Sequence, residues 1–282
     1  FFKDCADKLM RELLEKKEID GISDLAEIFP TSVFPEAVGL KKIDKETLLG
    51  YGAMVFNALG PDNEFRKDAM AKGLSVLEKI NKQCLEENID AKGLAKEIYR
   101  STAENSEEDQ LAGMLVRSLL SAGIDTTVSA IGNLLWCLAE NPEQFQLVKN
   151  DKSLVGNAVE ESLRLTSPVK AFCRTSATET EVSGVTIEEG TKILCVLGSA
   201  NTDPEVWENS YKYDVTRRTI GHLALGVGVH NCVGQTLARA EITALASSLT
   251  ELAKVIKPAG KAILKPNNAM RSFESLPIIL ET

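Results

Sequence analysis

Helical spacing of apolar residues dominates the first hundred residues. Between Phe2 and Leu14 the apolar side chains fall on one stripe of a helix over residues 1–17, while Lys, Asp and Glu occupy its other faces. Residues 45–60 and 66–89 continue the same periodicity. No internal repeat and no low-complexity linker marks a domain boundary. The pattern predicts a helical body formed as one unit.

A longer apolar stretch follows, and it predicts one long helix. Ser106 and the acidic residues after it are typical of a helix start, and Asn141-Pro142 is typical of a stop. The middle is apolar on all sides, which predicts burial at the centre of the fold. Within it, the sequence AGIDTT at 122–127 consists largely of poor helix formers. The Thr126 hydroxyl can bond back to the carbonyl four residues earlier and bend the helix, which opens a groove there.

The pattern changes after Pro168. The preceding segment predicts a helix with Ser153 at its N-cap. Residues 171–201 alternate in polarity and carry two glycine turn signals, so they predict short strands in hairpins. The later elements are a helix from about Cys232 to Ile256 and weak strands near 261–265 and 277–281. The predicted fold class is mainly α with small β hairpins.

Composition and charge narrow the class of protein. The chain has 282 residues, of which 44% are hydrophobic and 26% charged, as in ordinary globular proteins. Its net charge of −9 argues against broad binding to nucleic acids or anionic membranes. We find no apolar run of the roughly 18 residues that span a bilayer, and the first ten residues are too charged for a signal peptide. A cytoplasmic protein is expected.

Both histidines and one of the six cysteines are crowded into residues 221–241. No C-x-x-C pair occurs, which argues against a zinc ribbon or a disulfide framework. Cys232 follows several glycines and precedes a predicted helix, a setting that stabilises a thiolate. An isolated loop of this kind is as often a structural cysteine, and a Cys-His nucleophile pair is a weaker alternative. A thiolate ligand to haem iron is the remaining chemistry.

Four motifs resemble those of the cytochrome P450 family, the haem-thiolate monooxygenases. The loop from Leu225 to Gly234 is similar to the family's F-x-x-G-x-x-x-C-x-G signature, with Leu225 where Phe is usual. AGIDTT, ESLR and SPVKAFCRTS resemble three further family motifs and occur in the family's order. The resemblance implies a single cytochrome P450 domain over residues 1–282. It also implies that the N-terminal third of a typical member is absent, including a helix with a W-x-x-x-R haem contact.

The resemblance assigns a role to each motif. Haem b is the implied cofactor, with Cys232 as its axial ligand. The implied roles of the other residues are as follows: Gly226 and Gly228 let the backbone pass close to the porphyrin, Arg174, His222 and His230 hold the haem propionates, Asp125 and Thr126 form a proton-relaying acid–alcohol pair, and Glu161 and Arg164 form a structural ion pair.

Within the family, VRSLLSAGIDTT, SPVKAF and NNAMRSFESLPI resemble bacterial enzymes that oxidise para-substituted benzoates, such as methoxybenzoate O-demethylases. In that group an Arg-Ser pair binds the substrate carboxylate, which implies Arg117 and Ser118 here. Ala122, Val169 and Phe172 would line the apolar part of the pocket. The implied activity is insertion of one oxygen atom from O2 into a small aromatic acid. The alternative is a truncated, non-catalytic remnant that binds haem weakly or not at all.

An electron donor is also implied, because we find no flavin or iron–sulfur motif. The family resemblance suggests a ferredoxin with its reductase. Arg217, Arg218 and Arg239 flank the cysteine loop in an otherwise acidic chain, and we expect them to steer an acidic carrier toward that side.

Overall fold

The structure, a computed structural model, describes residues 1–41, 43–103 and 111–282. Its α-helices are α1 (Phe2–Leu14), α2 (Ile28–Val38), α3 (Lys45–Ala58), α4 (Glu64–Gln83), α5 (Leu94–Ala103), α6 (Ala112–Gly123), α7 (Asp125–Glu140), α8 (Pro142–Asn150), α9 (Val155–Thr166), α10 (Leu197–Ala200) and α11 (Gln235–Leu252). Its strands are β1 (Glu18–Asp20), β2 (Phe172–Thr175), β3 (Thr180–Val182), β4 (Val185–Ile187), β5 (Lys192–Cys195), β6 (Val255–Pro258), β7 (Ile263–Lys265), β8 (Ser272–Ser275) and β9 (Pro277–Glu281). The predicted class, mainly α with small β elements, is confirmed.

The sheets are small and antiparallel. Strand β9 lies between β1 and β6, and it pairs Ile256 with Leu280 on one side and Ile19 with Ile278 on the other. Strands β2 and β5, β3 and β4, and β7 and β8 form three separate two-stranded sheets. These sheets connect helices and do not form a layer of their own.

Helix α7 lies at the centre of the core. Nearly all of its residues after Thr126 are buried, and it packs against α9, α8, α11 and β8. Gly132 allows close approach here, because a Cβ at this position would lie 2.6 Å from Ile22 Cδ1. By length and composition alone, Ala112–Glu140 could cross a membrane, contrary to the sequence expectation. Its α7 half is enclosed by protein, as the core helix of a folded domain is.

The predicted long helix is interrupted. Helix α6 ends at Gly123 and α7 begins at Asp125, with Ile124 at φ −88° and ψ −66° between them. The interruption falls inside AGIDTT, where helix propensity is lowest. The predicted stop at Asn141 is correct, and Pro142 opens α8. The predicted start at Ser106 lies outside the described residues.

Three other predicted helix ends differ from the structure. Ser153 does not cap α9, because the Asp151 carboxylate accepts from the Ser153 N–H in a 3-10 turn that precedes the helix. The last helix begins at Gln235 and not at Cys232. It also stops before Ile256, because that residue joins β6 and pairs with β9. Strand pairing overrides the helical periodicity at this point.

One face of α9 is polar and turned into the protein. Asn157, Glu160, Glu161 and Arg164 are spaced three or four residues apart, so their side chains point the same way. Glu161 and Arg164 are fully buried. The four side chains bond to the irregular segment 201–223 or to α11. The face therefore anchors the chain that leads into the cysteine loop.

Candidate active site

Glycines shape the loop that carries Cys232. Gly226 and Gly228 have φ of 74° and 62°, a region that L side chains rarely adopt. A Cβ on Gly226 would also lie 2.4 Å from the His230 carbonyl oxygen. The Cys232 N–H donates to the Leu225 carbonyl at 2.8 Å and closes the loop. The thiol is half-buried just before α11.

Glu161 and Arg164 form a bidentate ion pair, with Nε–Oε2 and Nη2–Oε1 distances of 2.7 and 2.9 Å. Arg164 Nη1 also donates to the carbonyls of Asn201 and Ser210 at 2.7 and 2.8 Å. Arg217 adds a second cation, whose Nε lies 2.9 Å from Glu161 Oε1. Burial of such a pair is tolerable only when every polar atom is bonded, as these atoms are. The network locks α9 to the segment after α10.

Glu160 is the centre of a second network, which involves both flanks of the cysteine loop. Its carboxylate contacts His222 Nε2 at 2.8 Å and takes a bidentate contact from Arg239 at 2.6 and 3.0 Å. Hydrogen bonds from these partners, against the opposing effect of burial, lower the pKa of Glu160 to about 2. His222 Nδ1 accepts from the Ala224 N–H, so both ring nitrogens have protein partners. Neither ring nitrogen of His222 is therefore free to bind a haem propionate here, and the role predicted for His222 is not supported.

Of the other two predicted propionate partners, Arg174 is half-buried and His230 is exposed. The Arg174 guanidinium lies over the Phe172 ring and donates to the Cys173 carbonyl, within its own strand. His230 is exposed at the end of a 3-10 turn in the cysteine loop. Both side chains are open to an anionic ligand on this surface.

The interruption between α6 and α7 carries the predicted acid–alcohol pair. Thr126 Oγ1 donates to the Ala122 carbonyl, the back-bond that the sequence predicts. Burial raises the pKa of the Asp125 carboxyl to about 6, and the charge of Lys265 partly opposes this shift. Helix α3 approaches closely, since a Cβ on Gly52 would lie 2.7 Å from Asp125 Cβ. The raised pKa suits Asp125 to the predicted exchange of protons.

A small apolar cluster contains two of the predicted pocket residues. Val169 is buried, and Phe172 packs against the cluster to which it belongs. Three residues that the sequence analysis missed complete this cluster: Phe56, Ala269 and Met270. A bridge between Val169 and Met270 joins its two chain segments. Ala122, the third predicted pocket residue, is exposed on α6 and is not a member of this cluster.

Arg117 lies on the side of α6 that faces α3 and α4. Its Nη1 donates to Asn81 Oδ1 at 2.7 Å. Burial raises the pKa of the Tyr51 phenol, and the positive charge of Arg117 opposes that shift. In the described ranges no carboxylate pairs with Arg117. Ser118 is exposed and bonds to the Leu115 carbonyl. The sequence analysis missed Asn81 and Tyr51, because the periodicity of α3 and α4 does not show which of their residues contact α6.

Two of the three arginines expected to steer an acidic electron carrier form ion pairs with α9. Arg217 is 12% exposed and holds Glu161, while Arg239 holds Glu160. Only Arg218 of the three is exposed without an ion-pair partner among the described residues. The sequence shows that these arginines lie near the cysteine loop, but it does not show which of them form ion pairs inside the protein.

The residues present fit a haem group. The donor set is one thiol on a loop whose glycines permit close approach of a flat ring, with Arg174 and His230 open to carboxylates. Val227, Val229 and Val233 expose apolar surface around the loop, and Val229 is 96% exposed. In the part of the chain that the structure describes, no group of three or more metal-binding side chains offers an alternative centre.

Comparison with known proteins agrees with this geometry. The sequence pattern of a family described as cytochrome P450 matches residues 53–274. Cytochrome P450 CYP199A2 of Rhodopseudomonas palustris is 44% identical, and the match covers 99% of this chain and 68% of that protein. The biotin biosynthesis cytochrome P450 of Bacillus subtilis is 29% identical, with coverage of 97% and 70%.

Solved structures support the same assignment. P450BioI, in a structure with an acyl carrier protein ligated to hexadec-9Z-enoic acid, has a TM-score of 0.88 and 26% identity, with coverage of 99% of this chain and 73% of that one. Cytochrome P450 CREJ has a TM-score of 0.90 at 24% identity, with coverage of 100% and 73%, and supports the fold alone. The matched region contains the α6–α7 interruption, α9 and the cysteine loop. This chain belongs to the cytochrome P450 family of haem b-binding monooxygenases.

Proposed function

We propose that this chain inserts one oxygen atom from O2 into a small aromatic acid, by hydroxylation or O-demethylation of a para-substituted benzoate. With a methyl ether, oxygen enters a methyl C–H bond, and the product splits into a phenol and formaldehyde. The second oxygen atom leaves as water, with two protons and two electrons from a donor. The observation that carries the proposal is Arg117, half-buried on α6 with no carboxylate partner in the described ranges. Such a guanidinium suits a carboxylate ligand.

The spacing along α6 and α7 agrees with a ligand of this size. Ser118 and Ala122 lie one turn apart on α6. The Thr126 hydroxyl bonds back to the Ala122 carbonyl across the interruption, so the three residues form one row. At a rise of about 1.5 Å per residue, the eight residue steps from Ser118 to Thr126 cover roughly 12 Å. That length accommodates one aromatic ring with a carboxylate at the Arg117 end and the reacting group at the Thr126 end. The small side chain of Ala122 leaves room for the ring, and we assign Val169 and Phe172 to its apolar surroundings.

Each site residue has a physical task in this proposal. Cys232 ligates the haem iron, Gly226 and Gly228 keep the loop open to the ring, and Arg174 and His230 hold propionates. Bound haem supplies the activation of O2 that monooxygenation requires. Asp125 exchanges a proton at its carboxyl oxygens. The Thr126 hydroxyl donates to the Ala122 carbonyl and so presents its lone pairs as acceptors.

Bacterial members of this family use O2 and receive electrons from redox partners. For this chain we assign that task to a ferredoxin with its reductase, in the cytoplasm. Of the three arginines that flank the cysteine loop, Arg218 is the exposed one, and we assign the docking of the electron donor to the surface around it.

The first experiment tests haem ligation. The purified chain is reconstituted with haem, reduced and exposed to carbon monoxide. We expect the red-shifted Soret band of a thiolate-ligated complex, and we expect Cys232→Ala to lose it. A chain that retains no haem would contradict the proposal and favour the non-catalytic alternative.

The second experiment tests the substrate class by titrating the haem-loaded chain with 4-methoxybenzoate and with its methyl ester. A charge-assisted hydrogen bond contributes about 1.5–3 kcal/mol, so Arg117→Ala should weaken benzoate binding about 10- to 100-fold. Binding of the ester should change little. Arg100→Ala, at an exposed ion pair on α5, is the control. Equal affinity of the wild-type chain for acid and ester would refute a carboxylate substrate.

A further inference from the structure

Three side chains join α9 to both flanks of the cysteine loop. Glu160 lies on α9, His222 lies ten residues before Cys232, and Arg239 lies seven residues after it. His222 and Arg239 both contact the Glu160 carboxylate, and the Glu160 side chain is 23% exposed. We call Glu160, His222 and Arg239 the loop clamp.

The hydrogen bonds of the loop clamp form one directed chain. The Ala224 N–H donates to His222 Nδ1, so the other ring nitrogen, Nε2, carries the proton and donates to Glu160 Oε2. Arg239 presents Nε to Glu160 Oε1 and Nη2 to Glu160 Oε2. Its Nη1 is held by Gln235, one turn earlier on α11. Each donor has a defined acceptor, so the relative position of loop and helix is fixed.

The loop clamp also reaches the sulfur electrostatically. The pKa of Arg239 is raised, first by its hydrogen bond to Glu160 and, to a smaller extent, by the charge of Cys232. Glu160 determines where that cation lies, because it accepts two of the guanidinium's donors.

We propose that Glu160 is a positioning residue that, through His222 and Arg239, holds the cysteine loop in the geometry for thiolate ligation. The inference rests on the proposed ligation of haem by Cys232. It differs from the Glu161–Arg164 network, which ties α9 to residues 201–217 and reaches neither flank that the loop clamp joins. Mutation of a residue that supports a metal ligand commonly lowers metal affinity 10- to 100-fold.

The test compares Glu160→Gln with the wild-type chain in two measurements. The first is amide hydrogen exchange over residues 221–234 without haem, which reports how firmly the loop is held. The second is the fraction of the ferrous carbon monoxide complex with the thiolate-type Soret band, together with the rate of haem loss. Glu281→Gln, which breaks the exposed Lys257–Glu281 pair, is the matched control.

We expect Glu160→Gln to exchange loop amides about tenfold faster or more, to lose haem about tenfold faster, and to reduce the thiolate-type fraction. The control should change none of these. Arg239→Lys keeps the charge but loses the paired N–H groups, so it should show a smaller change in the same direction. It also serves as the second variant if Glu160→Gln does not fold.

Unchanged exchange and an unchanged thiolate-type fraction in folded Glu160→Gln would overturn the inference. A wild-type chain without the thiolate-type band would overturn the ligation by Cys232. In that case, faster loop exchange in Glu160→Gln would still support the loop-holding role, so the two failures are distinguishable.

Discussion

Arg164→Met should cost a large part of the stability of the fold. The substitution removes a buried cation that donates two hydrogen bonds to Glu161 and one each to the carbonyls of Asn201 and Ser210. Breaking a buried ion pair costs about 3–5 kcal/mol, and we take the lower end because Arg217 still holds Glu161. Each abandoned carbonyl costs about 1 kcal/mol more. The expected loss of about 5 kcal/mol compares with a total of 5–15 kcal/mol for typical domains.

Urea unfolding followed by circular dichroism measures this loss, and the melting temperature should fall by about 10–20 °C. The chain contains a matched control with the same i, i+3 spacing of Glu and Arg. Arg100 pairs with Glu97 on α5, but both side chains are about 60% exposed. Arg100→Met should therefore cost less than about 0.5 kcal/mol. A loss for Arg164→Met within 1 kcal/mol of this control would refute the argument that burial gives the pair its weight.

Two further predictions concern single residues. Glu241 is fully buried with both carboxylate oxygens unpartnered among the described residues, and burial raises its pKa from 4.5 to about 8. The folded state keeps this proton when the unfolded state loses it, so stability should fall as pH rises through that window. Glu241→Gln should remove this trend, and its advantage in urea unfolding should grow by about 1.4 kcal/mol per pH unit; a pH-independent difference would contradict the burial argument. Gly226→Ala should weaken haem retention about tenfold, because its Cβ would meet the His230 carbonyl. Gly184→Ala, with a similar φ of 78° but nothing within 4 Å, should retain haem like the wild type, and equal retention by both variants would show that the close contact is unimportant.

Much of the site could be predicted because its motifs are local. The glycines of the cysteine loop and the weak helix formers of AGIDTT conflict with ordinary helix propensity, and both conflicts occur where the backbone departs from a regular helix. The back-bond of Thr126 to the Ala122 carbonyl follows from the i−4 spacing alone.

The rest depends on partners that are distant in sequence. The spacing of Glu161 and Arg164 is equally typical of a solvent-exposed ion pair. The buried pair is stabilised by the backbone carbonyls of residues 201 and 210, and the sequence carries no signal for these contacts. The arginines near the loop were misassigned for the same reason, because their carboxylate partners lie on α9. Ile256 continues a helical pattern, but its pairing with Leu280 in β9 decides its conformation.

The polar face of α9 has a consequence for the order of folding during synthesis. Arg217 is added 56 residues after Glu161, about 3–11 s later at typical translation rates. Until then α9 is a twelve-residue helix with a hydrated charged face, too short to be stable alone. The partners of the buried Glu161 and Arg164, at residues 201, 210 and 217, all follow the β2–β5 region in the chain. This charged pair on α9 therefore gains its last partner only when synthesis has passed Arg217.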